Sequence, residues 1–425
     1  MKLGFICPNL PGHINPMTTL ARQLQARNHE VVFLYSSEAA GLPCLPVDEK
    51  DQVHEKIPEV SKMQGDEAVQ MGANALMAQT ESILRSLPAI VDKSGVDALL
   101  IDSVQFYVEL GAMQLGLPYL NVANAIHFDF SGHTPMCLYG RPHQTTPEAF
   151  ARNREDVVRF VKILDNANAG IKEYAEKVGL EIDWEDPAST LSPFASISQV
   201  PEAFDYESSH RSQFHLTGPF HDGSGREPLD FPWERLTGEP LIYASMGTIL
   251  NGRVDVFRTI VAALAKHKDV QLVLSIGNQI HPEQIGSVPS NTIVVQRAPQ
   301  LDLLKQTSVC ITHAGLNTVL ESLAQGVPQV AIPVTFDQPG VAARIMDKQT
   351  GVVTSLDKLT PDHLSSLLNE VLTNPVYRKN AKKLQTAIAE ANGLSVAADL
   401  IEESLGVNRK VAQEISSDAY HVREW

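Results

Sequence analysis

Short apolar runs rich in Val, Ile and Leu alternate along this chain with longer segments whose apolar residues recur every three or four positions. That is the pattern of parallel strands joined by crossover helices, since a strand covered on both faces reads as a nearly continuous hydrophobic stretch. In the first half the predicted strands are Leu3–Cys7, Glu30–Tyr35, Ala98–Ile101 and Tyr119–Ala123, with helices over Pro16–Arg27 and Val108–Leu115. A second series comprises Leu241–Ser245, Gln271–Ile276, Thr292–Gln296, Val309–Thr312 and Gln329–Pro333, again separated by helical segments. Between the two series lies 217-TGPFHDGSGREPLDFPWERLTGEP-240, crowded with Gly, Pro and charge and without periodicity, the mark of an interdomain linker. The expected fold class is α/β, two Rossmann-like doubly wound domains over 1–218 and 239–405 with a linker at 219–238. The polar stretch 406–425 reads either as a tail or as a helix packing back across the cleft.

A length of 425 residues suits two cores of ordinary size. The net charge of -16, with no basic stripe to offset it, excludes nucleic acid as a partner and disfavours anionic lipid. Cys7, Cys44, Cys137 and Cys310 have neither CxxC nor metal-ligand spacing, so reduced thiols and a cytoplasmic location are expected. No apolar run reaches the length of a signal sequence core or a spanning helix, so no transmembrane segment is expected. The expected state is a monomer.

The second domain carries the densest chemistry. Strand Val309–Thr312 runs into His313-Ala314-Gly315-Leu316-Asn317-Thr318, where a helix begins. Gly315 lets backbone amides approach an anion, and a helix start adds unpaired N–H groups and a partial positive charge, which together make a phosphate cradle. His313, Asn317 and Thr318 add side-chain donors for a diphosphate, and Glu321, one turn on, offers a carboxylate to vicinal ribose hydroxyls. Thr318-Val319-Leu320-Glu321 equally matches a capping box, in which Glu321 only closes its own helix. Pro299-Gln300 and Phe336-Asp337-Gln338 follow neighbouring strands, so three polar clusters converge at carboxyl ends, where open α/β sheets bind ligands. Asp337 and Gln338 suit sugar hydroxyls. Ser245-Met246-Gly247-Thr248 is a small-residue turn that reads either as an approach to a β-phosphate, with Thr248 as donor, or as an ordinary strand-end turn.

In the first domain, Pro8-Asn9-Leu10-Pro11-Gly12-His13-Ile14-Asn15-Pro16 follows the first strand, with Asn15 as the expected N-cap and Pro16 as a first-turn proline. His13 then lies in a loop at a strand's carboxyl end. The loop has no GxGxxG, which argues against a dinucleotide oxidoreductase. Asp102 ends the apolar strand Ala98–Ile101, where a carboxylate is costly unless it is paired or functional. A neutral imidazole beside a carboxylate is suited to taking a proton from a hydroxyl nucleophile. DxD, HExxH and paired CxxC motifs are absent, and His127 with His133 makes no zinc site, so neither a metal nor another cofactor is expected.

PLIYASMGT, THAGLNTVLES and FDQPGVAARI resemble the donor-binding signature of the family 1 UDP-dependent glycosyltransferases of GT-B fold, and most of all its bacterial carotenoid (zeaxanthin-type) glucosyltransferases. The resemblance spans nearly the whole chain and is strongest from about Pro240 to Leu405. It implies two facing domains with an interdomain cleft and a UDP-hexose, UDP-glucose first, as co-substrate. It also implies that Gln300 contacts the uracil or ribose, that His313, Asn317 and Thr318 bind phosphate, that Glu321 holds the ribose and that Asp337 and Gln338 hold the hexose. Gly12 falls in the family's GHINP-type loop, whose histidine is catalytic and partnered by an aspartate at the position of Asp102. Arg297 stands where many members carry a tryptophan beneath the base; a guanidinium also stacks on a π-face.

For the acceptor, Phe106, Tyr107, Ile126, His127, Phe128 and Phe130 follow two strand ends, and Met77 lies in the helical stretch Met63–Leu87; each reads as pocket wall or as core. The amphipathic stretch Arg154–Lys172 reads as a helix on its own domain or as a peripheral membrane contact. Three functions stay open: an inverting O-glycosyltransferase acting on a hydrophobic terpenoid, carotenoid, flavonoid or phenolic; a UDP-sugar epimerase or hydrolase of the same fold; and a non-catalytic nucleotide-sugar-binding subunit.

Overall fold

The computed structural model describes residues 1–46, 51–207, 212–226, 228–248 and 251–406. Two parallel sheets organise it. The first contains β1 (Lys2–Ile6), β2 (Glu30–Leu34), β3 (Cys44–Leu45), β4 (Ala98–Asp102), β5 (Tyr119–Ala123), β6 (Ser196–Ser198) and β7 (Phe214–Leu216), in the order β3-β2-β1-β4-β5-β6-β7. The second contains β8 (Leu241–Ser245), β9 (Gln271–Ser275), β10 (Thr292–Val295), β11 (Thr307–Thr312), β12 (Gln329–Ala331) and β13 (Gly351–Val353), in the order β10-β9-β8-β11-β12-β13. This is the α/β architecture of two facing doubly wound domains. The strands expected from hydrophobic runs are all present, with ends displaced by no more than two residues.

Burial explains why those strands form. Every residue of β4, β5, β8 and β9 is buried, because helices cover both faces of each sheet. The Pro147–Asp165 helix turns Phe160, Ile163 and Leu164 into the core and packs on the Gly65–Ser94 helix, so the amphipathic stretch around it rests on its own domain. Its exposed large hydrophobic residue is Val158. None of the described helices is long and apolar enough to cross a membrane.

The chain returns to the first domain at its end. The Gly393–Gly406 helix buries Ala397, Ala398 and Ile401 in the core around β1 and the Pro11–Ala26 helix. Arg27 pairs with Asp399 and with Glu402 (2.8 Å), and His29 meets Glu402 at 3.0 Å. The expected tail or helix at 406–425 lies, after Gly406, outside the described residues.

The domains are also joined through a buried ion pair. Arg344 from the second domain donates through Nε (2.8 Å) and Nη2 (2.7 Å) to Asp205 of the first, and its guanidinium lies 4.3 Å from the Tyr206 ring. Burial alone pushes the Asp205 carboxyl up, but Arg344, aided by His127, outweighs it and holds the pKa down at about 2.

Candidate active site

In each sheet the strand order reverses once, between β1 and β4 and between β8 and β11, and the candidate side chains stand at the carboxyl ends there. The Pro11–Ala26 helix starts directly after β1, with Pro11 in its first turn. The expected start at Asn15-Pro16 is therefore corrected: Pro16 lies inside the helix, and the Asn15 carbonyl accepts the Thr18 (2.9 Å) and Thr19 (3.0 Å) hydroxyls. His13 sits in the first helical turn rather than in a loop, which fixes its backbone.

Its imidazole meets Asp102 across the switch point, with Nδ1 2.8 Å from Oδ2. Asp102 is fully buried and accepts two further bonds, from Asn124 Nδ2 (2.7 Å) and the Val104 N–H (3.1 Å). A carboxylate held from three directions cannot turn away, so it keeps the proton on Nδ1 and leaves Nε2 as the basic nitrogen. Nε2 makes no hydrogen bond among the described residues, and the side chain is 17% exposed. Burial works against the imidazolium, but the charge and hydrogen bond of Asp102, with Asp337 adding to them, outweigh it and raise the His13 pKa above the ordinary 6.5.

On the facing domain, Thr312 pairs with Ser245, which brings the His313 turn beside the turn after β8. The His313 ring is held between two glycines: a Cβ at Gly247 would come within 2.4 Å of its Nε2, and one at Gly315 within 2.5 Å. Burial drives the His313 pKa down to about 4, only partly offset by the Ser245 backbone. At neutral pH it is an uncharged donor. Ala314 takes φ +65°, a strained conformation for a non-glycine, and its N–H is held by Thr312 Oγ1 at 3.2 Å. Gly315 is the N-cap of the Leu316–Ala324 helix and no side chain caps it, so the leading N–H groups stay open to an anion. Thr248 is exposed at the end of its turn.

Glu321 does not close its own helix. The helix begins at Leu316, so the capping-box position falls on Thr318, and the Glu321 carboxylate bonds elsewhere. It accepts from Gln300 Nε2 at 2.6 Å and is forked by Arg226 of the linker. Gln300 is oriented by the Tyr243 hydroxyl (2.9 Å) and approaches Thr318 Oγ1 at 3.4 Å. Arg297, after β10, is exposed and makes no hydrogen bond among the described residues.

Asp337 is half-buried and accepts the Ile126 N–H across the cleft at 3.1 Å; desolvation raises its pKa, with Ile126 and His13 opposing. Gln338 instead spends its side-chain oxygen on its own loop, accepting from the Val334 (2.9 Å) and Thr335 (3.2 Å) N–H groups, so only its NH2 is available to a ligand. Asn317 is likewise committed, to Gly12 O (2.6 Å) and to Gln199 Nε2 (2.8 Å).

Of the expected acceptor wall, Phe106 and Phe128 are half-buried and form an aromatic group with Phe130 and Phe160; Phe128 stacks on Phe160 at 5.1 Å and meets Phe106 edge-on at 5.2 Å. Tyr107, Ile126 and Met77 are core residues, Tyr107 facing Trp184. His127 is turned to Asp205 (3.4 Å) and Phe214, away from a lining role. Sequence reading passed over Asn124, Gln199, Arg226 and the ring-stacking role of Phe160. Asn124 carried a usable signal, a polar residue directly after a buried strand, the same one that singled out Asp102.

A family model described as UDP-glucoronosyl and UDP-glucosyl transferase matches residues 235–390, the part that carries the His313–Gln338 cluster. The zeaxanthin glucosyltransferase of Pantoea ananas is 28% identical, with 96% of each chain covered. The demethyllactenocin mycarosyltransferase of Streptomyces fradiae is 26% identical over 94% of this chain and 85% of its own. Among solved structures, the glycosyltransferase of kitacinnamycin superposes with a TM-score of 0.72 at 23% identity, covering 95% of this chain and 98% of its own. Residues 235–390 thus carry the match to the UDP-glucoronosyl and UDP-glucosyl transferase family, and the chain as a whole has the GT-B fold of these glycosyltransferases.

Proposed function

We propose that this glycosyltransferase moves a hexose, glucose first, from its UDP-linked donor to a hydroxyl of a hydrophobic small molecule, with inversion and without a metal. The reading is carried by the His13–Asp102 pair, in which Nε2 makes no hydrogen bond among the described residues and the imidazole lies close enough to Asp337 of the facing domain to feel its charge. His13 takes the acceptor proton as the oxygen attacks the anomeric carbon, and Asp102 stabilises the imidazolium that forms. Asp337 and the Gln338 NH2 hold hexose hydroxyls. The leaving diphosphate is met by the open N–H groups of the Leu316–Ala324 helix, by Thr248 and by neutral His313, which donates a hydrogen bond rather than a charge. Ribose hydroxyls replace Arg226 on Glu321, and Gln300 keeps that carboxylate in place.

The half-buried rings of Phe106, Phe128 and Phe130 suit an apolar, flat or polyene acceptor, and the named activity of the Pantoea ananas relative puts hydroxylated carotenoids first. Four unpaired thiols accord with work in the cytoplasm. UDP release from UDP-glucose, with EDTA present, measured against hydroxylated carotenoids, flavonoids and simple phenols with product masses recorded, tests the proposal. A hexose adduct is expected; UDP release with free glucose alone would favour a hydrolase.

Glu321→Ala is expected to weaken UDP binding by about 10–100-fold, the loss of charge-assisted bonds to two hydroxyls. Calorimetric titration of UDP checks this, and an unchanged affinity would remove Glu321 from the ribose.

A further inference from the structure

An ordinary residue at position 16 would give its N–H to the carbonyl four residues back, that of Gly12. Pro16 has no N–H, so its own helix leaves the Gly12 carbonyl over. The bond is supplied by the other domain: Asn317 Nδ2 donates to Gly12 O at 2.6 Å. Asn317 Oδ1 accepts from Gln199 Nε2, whose other proton goes to the Asn124 carbonyl, both at 2.8 Å. Asn124 Nδ2 donates to Asp102 at 2.7 Å, and Asp102 holds His13 Nδ1 at 2.8 Å. The bonds run from the residue beside His13, across the cleft to the first turn of the donor helix, and back to His13 through its carboxylate. Gln199 and Asp102 are fully buried and Asn124 is 1% exposed, so water offers them no easy substitute. Gly12 and Asn124 contribute carbonyls that only accept, which fixes the orientation of both side-chain amides.

We propose that Asn317 and Gln199 are positioning residues, and that Pro16 serves them by freeing the Gly12 carbonyl, so that the three form a latch setting the catalytic pair against the helix that carries the diphosphate. One of the two protons of the Asn317 side-chain amide is thereby spent on a protein contact, the Gly12 carbonyl. A misplacement of about 1 Å between reacting groups costs on the order of 10²-fold in rate. A proline in a helix interior is destabilising on its own, which gives the latch a test of opposite signs.

Pro16→Ala supplies the missing N–H, which competes with Asn317 for Gly12 O. The expected result is a higher Tm, a kcat lower by about 10–100-fold and an unchanged UDP Kd. An unchanged kcat, or a UDP Kd that rises in step with the fall in kcat, would overturn the proposal. Gln199→Met removes the donor to Asn317 without touching the helix and carries the same expectation for kcat and Kd. The rate effect rests on the transfer reading; the stability coupling does not. In denaturant, Asn317→Ala is expected to lower the midpoint clearly in the wild type and much less in the Pro16→Ala background. Additive effects there would sink the latch even if transfer is confirmed, whereas coupling without any transfer would locate the failure in the functional reading.

Discussion

His13→Ala is expected to lower kcat for hexose transfer by about 10²–10⁴-fold, the usual contribution of a positioned base, while UDP affinity stays near the wild-type value. The imidazole belongs to the first domain and the residues proposed to hold the nucleotide, Gln300 and Glu321, to the second, so the two readouts separate. Equal loss of both would mean that His13 shapes the donor site instead. The pH dependence adds a signed test. A base must be unprotonated, so kcat/KM rises with pH through the His13 pKa, which lies above 6.5. In Asp102→Asn the main influences that raise the pKa are gone and only the weaker one of Asp337 still opposes burial, so the acidic limb moves to lower pH as the plateau rate falls. A limb that stays in place would show that another group titrates. For folding the sign is the reverse: the His13–Asp102 pair contributes stability that is fully present below about 6.5 and is lost as pH rises through the higher native pKa.

Arg344→Met is expected to destabilise the protein by about 3–5 kcal/mol, the cost of leaving a buried carboxylate without its partner. Arg344 is 1% exposed and Asp205 2%, so water cannot take over the lost bonds. Replacing both, as Arg344→Met with Asp205→Leu, is expected to restore most of the loss, because desolvation of the pair largely cancels its attraction. The Asp205 carboxyl is held at about 2 against an ordinary 3.8, so its contribution is present above about 4 and is lost as pH falls toward 2. Denaturant unfolding across that range checks the sign, and in Arg344→Met, where burial is left to push the Asp205 carboxyl up, this loss toward low pH is expected to disappear or reverse. A loss under about 1 kcal/mol would place the pair among ordinary surface bridges.

How far the sequence could be read follows from what each element buries. β1, β2, β4, β5 and β8–β11 have four to six residues each and appear as apolar runs, as does the three-residue β12 because the buried run continues past it to Ile332, whereas β3, β6, β7 and β13 have two or three residues each and leave no periodic trace. Asp102 was legible because a carboxylate ending such a strand demands a partner, and Asn124 obeys the same rule on the next strand. Glu321 was ambiguous because its helix start could not be fixed from residue types; three positions decide between a cap and a ligand. Gln199, Arg226 and the Asn317–Gly12 bond were invisible, since each depends on how the two domains meet. His127 looked like a pocket residue by its neighbours in sequence, yet β7 and the Asp205–Arg344 pair draw it the other way.

The anomeric configuration of the product formed from α-linked UDP-glucose tests the central claim most directly, because a single displacement driven by His13 leaves one stereochemical outcome. The account predicts a β-glucoside, with one UDP released for each acceptor modified. An α-glucoside, or glucose released as the free sugar, would contradict it.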